Sequence, residues 1–351
     1  MRSITLSGGV NDRVERFIAI SNSKALRSTF TFEDALLTAD ASWVSNHFIY
    51  SHLEDCQFIF RGLTFFIKSH QGLGQLGSVY FDQSIQVRNH IAYENINHAH
   101  YAATGDNDYF WVCYSGGTAN RTSLSMRNVS STNTSTTSMT EWRAVRLNLN
   151  VVHQCSFVLT DISIVAQRSG GWVEVFHWGV FNGLEASQMH NNVLLHNVNM
   201  QVALTSAGGC ALTPMYGFNI LRHTNFSISN IVMDCTVYHE SLLVFTQHRK
   251  FENVHMDYKN IQMRVEATGP SQHGPYLLWL NDVQDFVDFH LTMYNCEYTA
   301  RSTGVVSGVY FSPSAANSQF LRSSISLSKL KVSMVTTGSV RAAFFVATKG
   351  L

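Results

Sequence analysis

The chain has 351 residues, a formal net charge of zero and only 14% charged side chains, well below the quarter or so that is usual for soluble domains. With no basic run it offers nucleic acid no electrostatic footprint. With no apolar stretch of about eighteen residues it offers no membrane-spanning helix. Its opening "MRSITLSGGVNDRVERF" lacks the apolar centre and small-residue cleavage site of a secretory signal.

In chain order, one pattern recurs: "FTFEDALL" from Phe30, "FIFRGLTF" from Phe58, "IAYENINH" from Ile91, "LSMRNVSS" from Leu124 and "FVLTDISI" from Phe157. It continues with "VLLHNVNM" from Val193, "FSISNIVM" from Phe226, "MDYKNIQM" from Met256, a shortened "VDFHLTM" from Val287 and "ISLSKLKV" from Ile325. Successive starts lie 28, 33, 33, 33, 36, 33, 30, 31 and 38 residues apart, which is an internal repeat. In most copies apolar residues hold positions one, three, six and eight. Spacings of two signify strand, where a helix would need spacings of three and four. The single slip of phase means that two short strands meet at a bend.

The residue at the bend is Asp34, Gly62, Asn95, Asn128, Asp161, Asn197, Asn230, Asn260 and, in the last copy, Lys329. Asn, Asp and Gly best tolerate the left-handed backbone that a sharp corner needs. A third apolar stretch precedes each motif, as in "SVYF" (78–81), "YFWVCY" (109–114), "WVEVFHWGVF" (172–181), "YLLWL" (276–280) and "VVSGVYF" (305–311). The expected fold is all-β: one parallel β-helix over 14–351, with about ten coils of roughly 33 residues and three short strands per coil, each strand pairing with its equivalent in the next coil. Residues 1–13 form an N-terminal segment or partial coil.

This asparagine corner between two short strands, repeated coil on coil, resembles the right-handed parallel β-helix of pectate lyases, polygalacturonases and phage tailspikes. The resemblance implies a right-handed coil. It also implies that any chemistry belongs on the long outer face of the first strand. The close aspartates, Gly-His-Gly and Arg-x-Lys of polygalacturonases are not in the sequence, and neither is the acidic cluster of a calcium-dependent lyase.

The remaining acid/base pair is Glu174 and His177 in "WVEVFHWGVF". Glu174, flanked by valines near aromatics, reads as a carboxyl with a raised pKa suited to general acid work, or as an outward strand residue with no catalytic partner. The tryptophans Trp43, Trp111, Trp142, Trp172, Trp178 and Trp279 all fall in or beside the first-strand stretch. They read either as an aromatic strip for a sugar or a protein partner or as filling of the coil interior. His153, His190 and His223 precede their motifs by three or four residues, in a polar corner shared with Asp55, Arg88, Arg121, Asn253, Gln284 and Arg322. The six cysteines show no CxxC pairing and read as core residues, with Cys56 and Cys155 in one column. No metal or other cofactor is expected.

The function expected on this reading is non-enzymatic: a structural or attachment component of a virus particle, made in the cytoplasm and working in the virion or another extracellular assembly. Its partners are other copies of itself or other particle proteins. The alternative is a tailspike-like or lyase-like enzyme using the first-strand face on cell-surface polysaccharide. The closing stretch "SVRAAFFVATKGL" reads as one more first strand, so the ends of the rod are expected to need covering by another chain.

Overall fold

The computed structural model describes residues 2–7, 18–40, 46–69, 73–102, 106–179, 187–238, 241–269, 274–313, 319–338 and 340–346. All of its regular structure is β-strand, and the ladders are parallel throughout. The chain is a β-solenoid of about seven turns of about 33 residues, fewer than the ten expected. The copies from Phe30 and Ile325 lie in the outermost turns, where their apolar side chains are only partly buried.

One turn shows how the sequence builds the coil. Its first side is Leu73–Asp82, its second is the three-residue strand Ile85–Val87, and its third and fourth sides are His90–Ala102 bent at Asn95. The corners Gln83, Arg88 and Asn95 have φ of 46°, 51° and 54°. The short second side is an addition to the three strands expected. It escapes notice in the sequence because it places a single residue inward: Leu53, Gln86, Ala119, Val152, Gln188 and Leu221 in successive turns, all buried. One inward residue has no period.

The corner column of the motif is as expected. Asp34, Gly62, Asn95, Asn128, Asp161, Asn197, Asn230, Asn260 and Lys329 all have positive φ. Side-chain amides bond along it, Asn128 to Asn95 at 2.9 Å, Asn197 to Asp161 at 2.6 Å and Asn260 to Asn230 at 3.0 Å. The copy placed at Val287 is corrected. Leu291 pairs with Met256 and with Ile325, and Asn295 takes the corner with its amide 2.8 Å from Asn260. The motif there is "LTMYNCEY", and the irregular steps of 31 and 38 become 35 and 34 (256 to 291 to 325).

The second corner column also differs in detail. Its left-handed residues are Arg27, Asp55, Arg88, Arg121, Gln154, His190, His223, Asn253, Asp288 and Arg322, so Gln154 replaces His153 and Asp288 replaces Gln284. The residue after each corner from Asp55 to Asp288 turns inward, and in most turns its side chain closes the corner with a hydrogen bond, Val254 and Phe289 being the apolar exceptions. The Cys56 and Cys155 thiols each reach back two residues to a carbonyl at 3.4 Å, as the hydroxyls of Thr224 and Ser323 do at 2.9 and 2.8 Å. Asn89 and Asn191 accept instead from the backbone N–H of those cysteines, at 2.8 and 3.0 Å. Inside, like side chains stack at about the inter-strand spacing: Phe30 on Phe58 and Phe32 on Phe60, both at 4.9 Å, then Phe48 on Phe81 at 5.1 Å.

Candidate functional site

Among the described residues, the outer face of the first side carries a group of buried charges with catalytic side-chain types. Alternation alone would put Glu174 and His177, three apart, on opposite faces. The structure brings them together by a slip of phase. Val173 and Val175 point into the core, and so do Phe176 and Trp178, which leaves Glu174 and His177 facing outward on either side of the slip. The preceding turn slips at the equivalent place, with Ala144 and Val145 both inward. Arg143 therefore pairs with Glu174, and Arg146 with His177, across adjacent turns.

Arg143 Nε lies 2.5 Å from Glu174 Oε2, and His177 Nδ1 lies 2.8 Å from the same oxygen. Arg143 also meets Glu141. All three central residues are buried, Glu174 to 2% exposure, Arg143 to 5% and His177 to 7%. Burial pushes the Glu174 carboxyl up, but Arg143 and His177 beside it outweigh burial and hold it at about 2. Burial lowers the His177 pKa against the opposing pull of Glu174. The raised pKa expected for Glu174 is thus reversed: at neutral pH it is a carboxylate locked between two donors. Arg143, missed in the sequence, is its main partner; the signal was its ladder position one turn upstream. An ionised, enclosed carboxylate with both neighbours engaged is a structural tie rather than a proton donor.

The tryptophans divide. Trp111, Trp142 and Trp178 are fully buried in the central core, the interior-filling alternative. Trp172 and Trp279 are partly buried in an outward aromatic group with Ala211, Leu242, Tyr276 and Tyr310, where the Tyr276 and Trp279 rings stack at 4.7 Å. Trp43 lies outside the described residues. Of the three corner histidines, His190 stacks on His223 at 4.5 Å, whereas His153 meets His190 edge-on at 5.7 Å, and Asn253 bonds to His223 at 2.8 Å. Among the described residues no group of three or more His, Cys, Asp or Glu is arranged to hold a metal ion. An open groove of about 400 Å³ borders the corner ladder at Glu94, Asn95, Arg127, Asn128 and Asp161, and does not include Glu174.

No protein-family model, curated protein or solved structure matches the chain. The class that the fold defines is a parallel β-solenoid.

Proposed function

We propose that the protein is a structural rod that assembles end to end with further copies of itself as part of a larger particle. The observation that carries this is the one-sided pairing of the outermost described strands. Among the described residues, Lys24–Leu26 and Thr29–Glu33 pair only downward, with His52–Glu54 and Gln57–Arg61. Gln319–Leu321 and Ser324–Thr336 pair only upward, with strand Asp285–Ser302. The inner side chains there, Phe30 and Phe32 at one end and Ile325, Leu327, Val332 and Met334 at the other, are only partly buried. Leu26, Phe320 and Leu321 are exposed. One-sided strands over an apolar interior invite another strand edge.

A second copy is the occupant that fits. The ladders are all parallel, so the two ends present opposite hydrogen-bonding sides of the same four-sided outline, with apolar residues at matching inner places. Head-to-tail contact of this kind is heterologous and builds chains. The particular form proposed is a spike or tail component of a virus particle, on the architectural resemblance to tailspikes. The alternative, a polysaccharide-acting enzyme working through Glu174, is disfavoured by the ionised, enclosed state of that carboxyl.

Light scattering and negative-stain microscopy test the reading. Wild type is expected to form end-to-end pairs or filaments, and Leu327→Glu to form monomers of unchanged β-content. A monodisperse wild-type monomer at high concentration overturns it.

A further inference from the structure

On the fourth side the inward positions of most turns are apolar: Phe65 and Ile67, Ile164 and Ala166, Met200 and Val202, Met233 and Cys235. Two consecutive turns break both columns, with His98 and His100 and then, in register, Ser131 and Asn133. One place further along, Ser135 and Arg168 face each other across adjacent turns. All six side chains are at most 5% exposed.

The two imidazoles are packed from several sides. His98 stacks on Phe65 at 4.8 Å and on Trp111 at 5.2 Å, with its ring nitrogens 2.6 Å from the Tyr93 hydroxyl and 2.9 Å from that of Tyr109. His100 stacks on Tyr109 at 4.4 Å. The Asn133 amide nitrogen donates to His100 Nδ1 at 3.3 Å, which places the ring proton on Nε2. His100 Nε2, Asn133 Oδ1 and Ser131 Oγ find no hydrogen-bond partner among the described residues. Among the described residues, the titratable groups against the pair are each other, Tyr93 on the third side, Tyr109 on the first, and Arg168 on the fourth. The inward residues of the short second side in these two turns, Gln86 and Ala119, do not titrate. Among the described residues the one buried carboxylate is Glu174, already tied to Arg143 and His177 on the outer face.

We propose that these two turns are an acid-sensitive joint in the rod: on acidification His90–Ala102 and the stretch 123–135 open locally, before the apolar turns on either side. Protonating either imidazole in place adds a cation, in the case of His100 beside Arg168, where the described residues offer no free carboxylate to answer it, and opening lets water solvate the charge. Burial holds both imidazoles down, His98 well below its ordinary value and His100, with Arg168 adding to the effect, at about 3. The sign follows from linkage. A base with a depressed folded pKa favours the closed form above its ordinary value near 6.5, and that preference is lost as pH falls from there toward 3. The unpartnered polar atoms make these turns the weaker ones from the outset.

Hydrogen exchange of the intact protein, read by mass spectrometry from pH 7 to pH 4 and corrected for intrinsic rates, tests the joint. Peptides covering 90–102 and 123–135 are expected to lose about two orders of magnitude more protection than 193–204 and 226–237. In the double variant His98→Phe/His100→Ile, which copies the preceding turn, this excess is expected to vanish. Equal loss along the rod, or an excess that persists in the folded variant, overturns the proposal. If the variant does not fold, the comparison between turns of the wild type decides alone.

Discussion

Arg143 Nε and Glu174 Oε2 lie 2.5 Å apart across adjacent turns, with both side chains buried. Removing one partner leaves the other as an uncompensated buried charge, at a cost of about 3–5 kcal/mol. Glu174→Gln is therefore expected to lower the melting temperature strongly, and Arg143→Met/Glu174→Leu to restore most of the loss. The pH dependence has a definite sign. Glu174 titrates at about 2 in the fold against an ordinary 4.5, so its contribution is complete above pH 4.5 and drains away as pH falls toward 2. The slope is about 1.4 kcal/mol per pH unit at most. Denaturant melts of wild type and the double variant between pH 6 and pH 2 check this; parallel curves would remove the ionic tie from the account.

The corner ladder predicts position-specific damage. Asn230 has φ of 56° and accepts from the Asn260 amide at 3.0 Å. Asn230→Val puts a β-branched side chain into a left-handed corner and breaks the amide chain, at a cost of about 1–3 kcal/mol. Thr132→Val, on an exposed strand position, is expected to change stability by less than about 0.5 kcal/mol. Equal melting temperatures for the two variants would contradict the role given to the corner.

The motif and its corner were legible because they repeat: eight bend residues from Asp34 to Asn260, all Asn, Asp or Gly, occupy the left-handed column that their chemistry predicts, and Lys329 joins it by register alone. The second side was not legible, since a strand with one inward residue such as Gln86 or Ala119 carries no alternation. The copy at Val287 misled because Val287 and Phe289 imitate the spacing, whereas the bend belongs to Asn295. The site was hardest. The slip between Val175 and Phe176 puts Glu174 and His177 on one face, and only ladder register reveals Arg143 as their neighbour. A local sequence window contains neither fact. His98 and His100 passed unnoticed because their significance lies in the apolar residues above and below them.

The cysteines of the second corner are replaceable by the atom that does their work. Cys56 and Cys155 each bond back to a carbonyl two residues earlier, as Ser323 and Thr224 do in other turns. Cys155→Ser is expected to cost less than about 1 kcal/mol, because a hydroxyl makes the same bond. Cys155→Val, which cannot donate, should cost more by the worth of one hydrogen bond, about 1 kcal/mol. Chemical melts of the two variants compare them directly, and a more stable Val variant would show that packing, not the bond, selects the residue.

The two sets of tryptophans separate stability from surface recognition. Trp142 and Trp178 are fully buried, and Trp178→Ala is expected to cost about 3–5 kcal/mol as a large core deletion. Trp279 is partly buried on the outer face beside Tyr276, so Trp279→Ala should cost distinctly less. Of the described tryptophans, Trp172 and Trp279 are the two that a glycan or protein on the first side could touch, because Trp111, Trp142 and Trp178 are fully buried. A polysaccharide screen followed by product analysis extends the test to chemistry. With Glu174 held as a carboxylate at about 2, no reducing ends or unsaturated uronates are expected from wild type. Binding without turnover, lost in Trp279→Ala but kept in a folded Glu174→Gln variant, would make the outer face a docking surface. Turnover abolished by Glu174→Gln, with the fold intact, would instead make Glu174 a catalytic group and displace the structural reading.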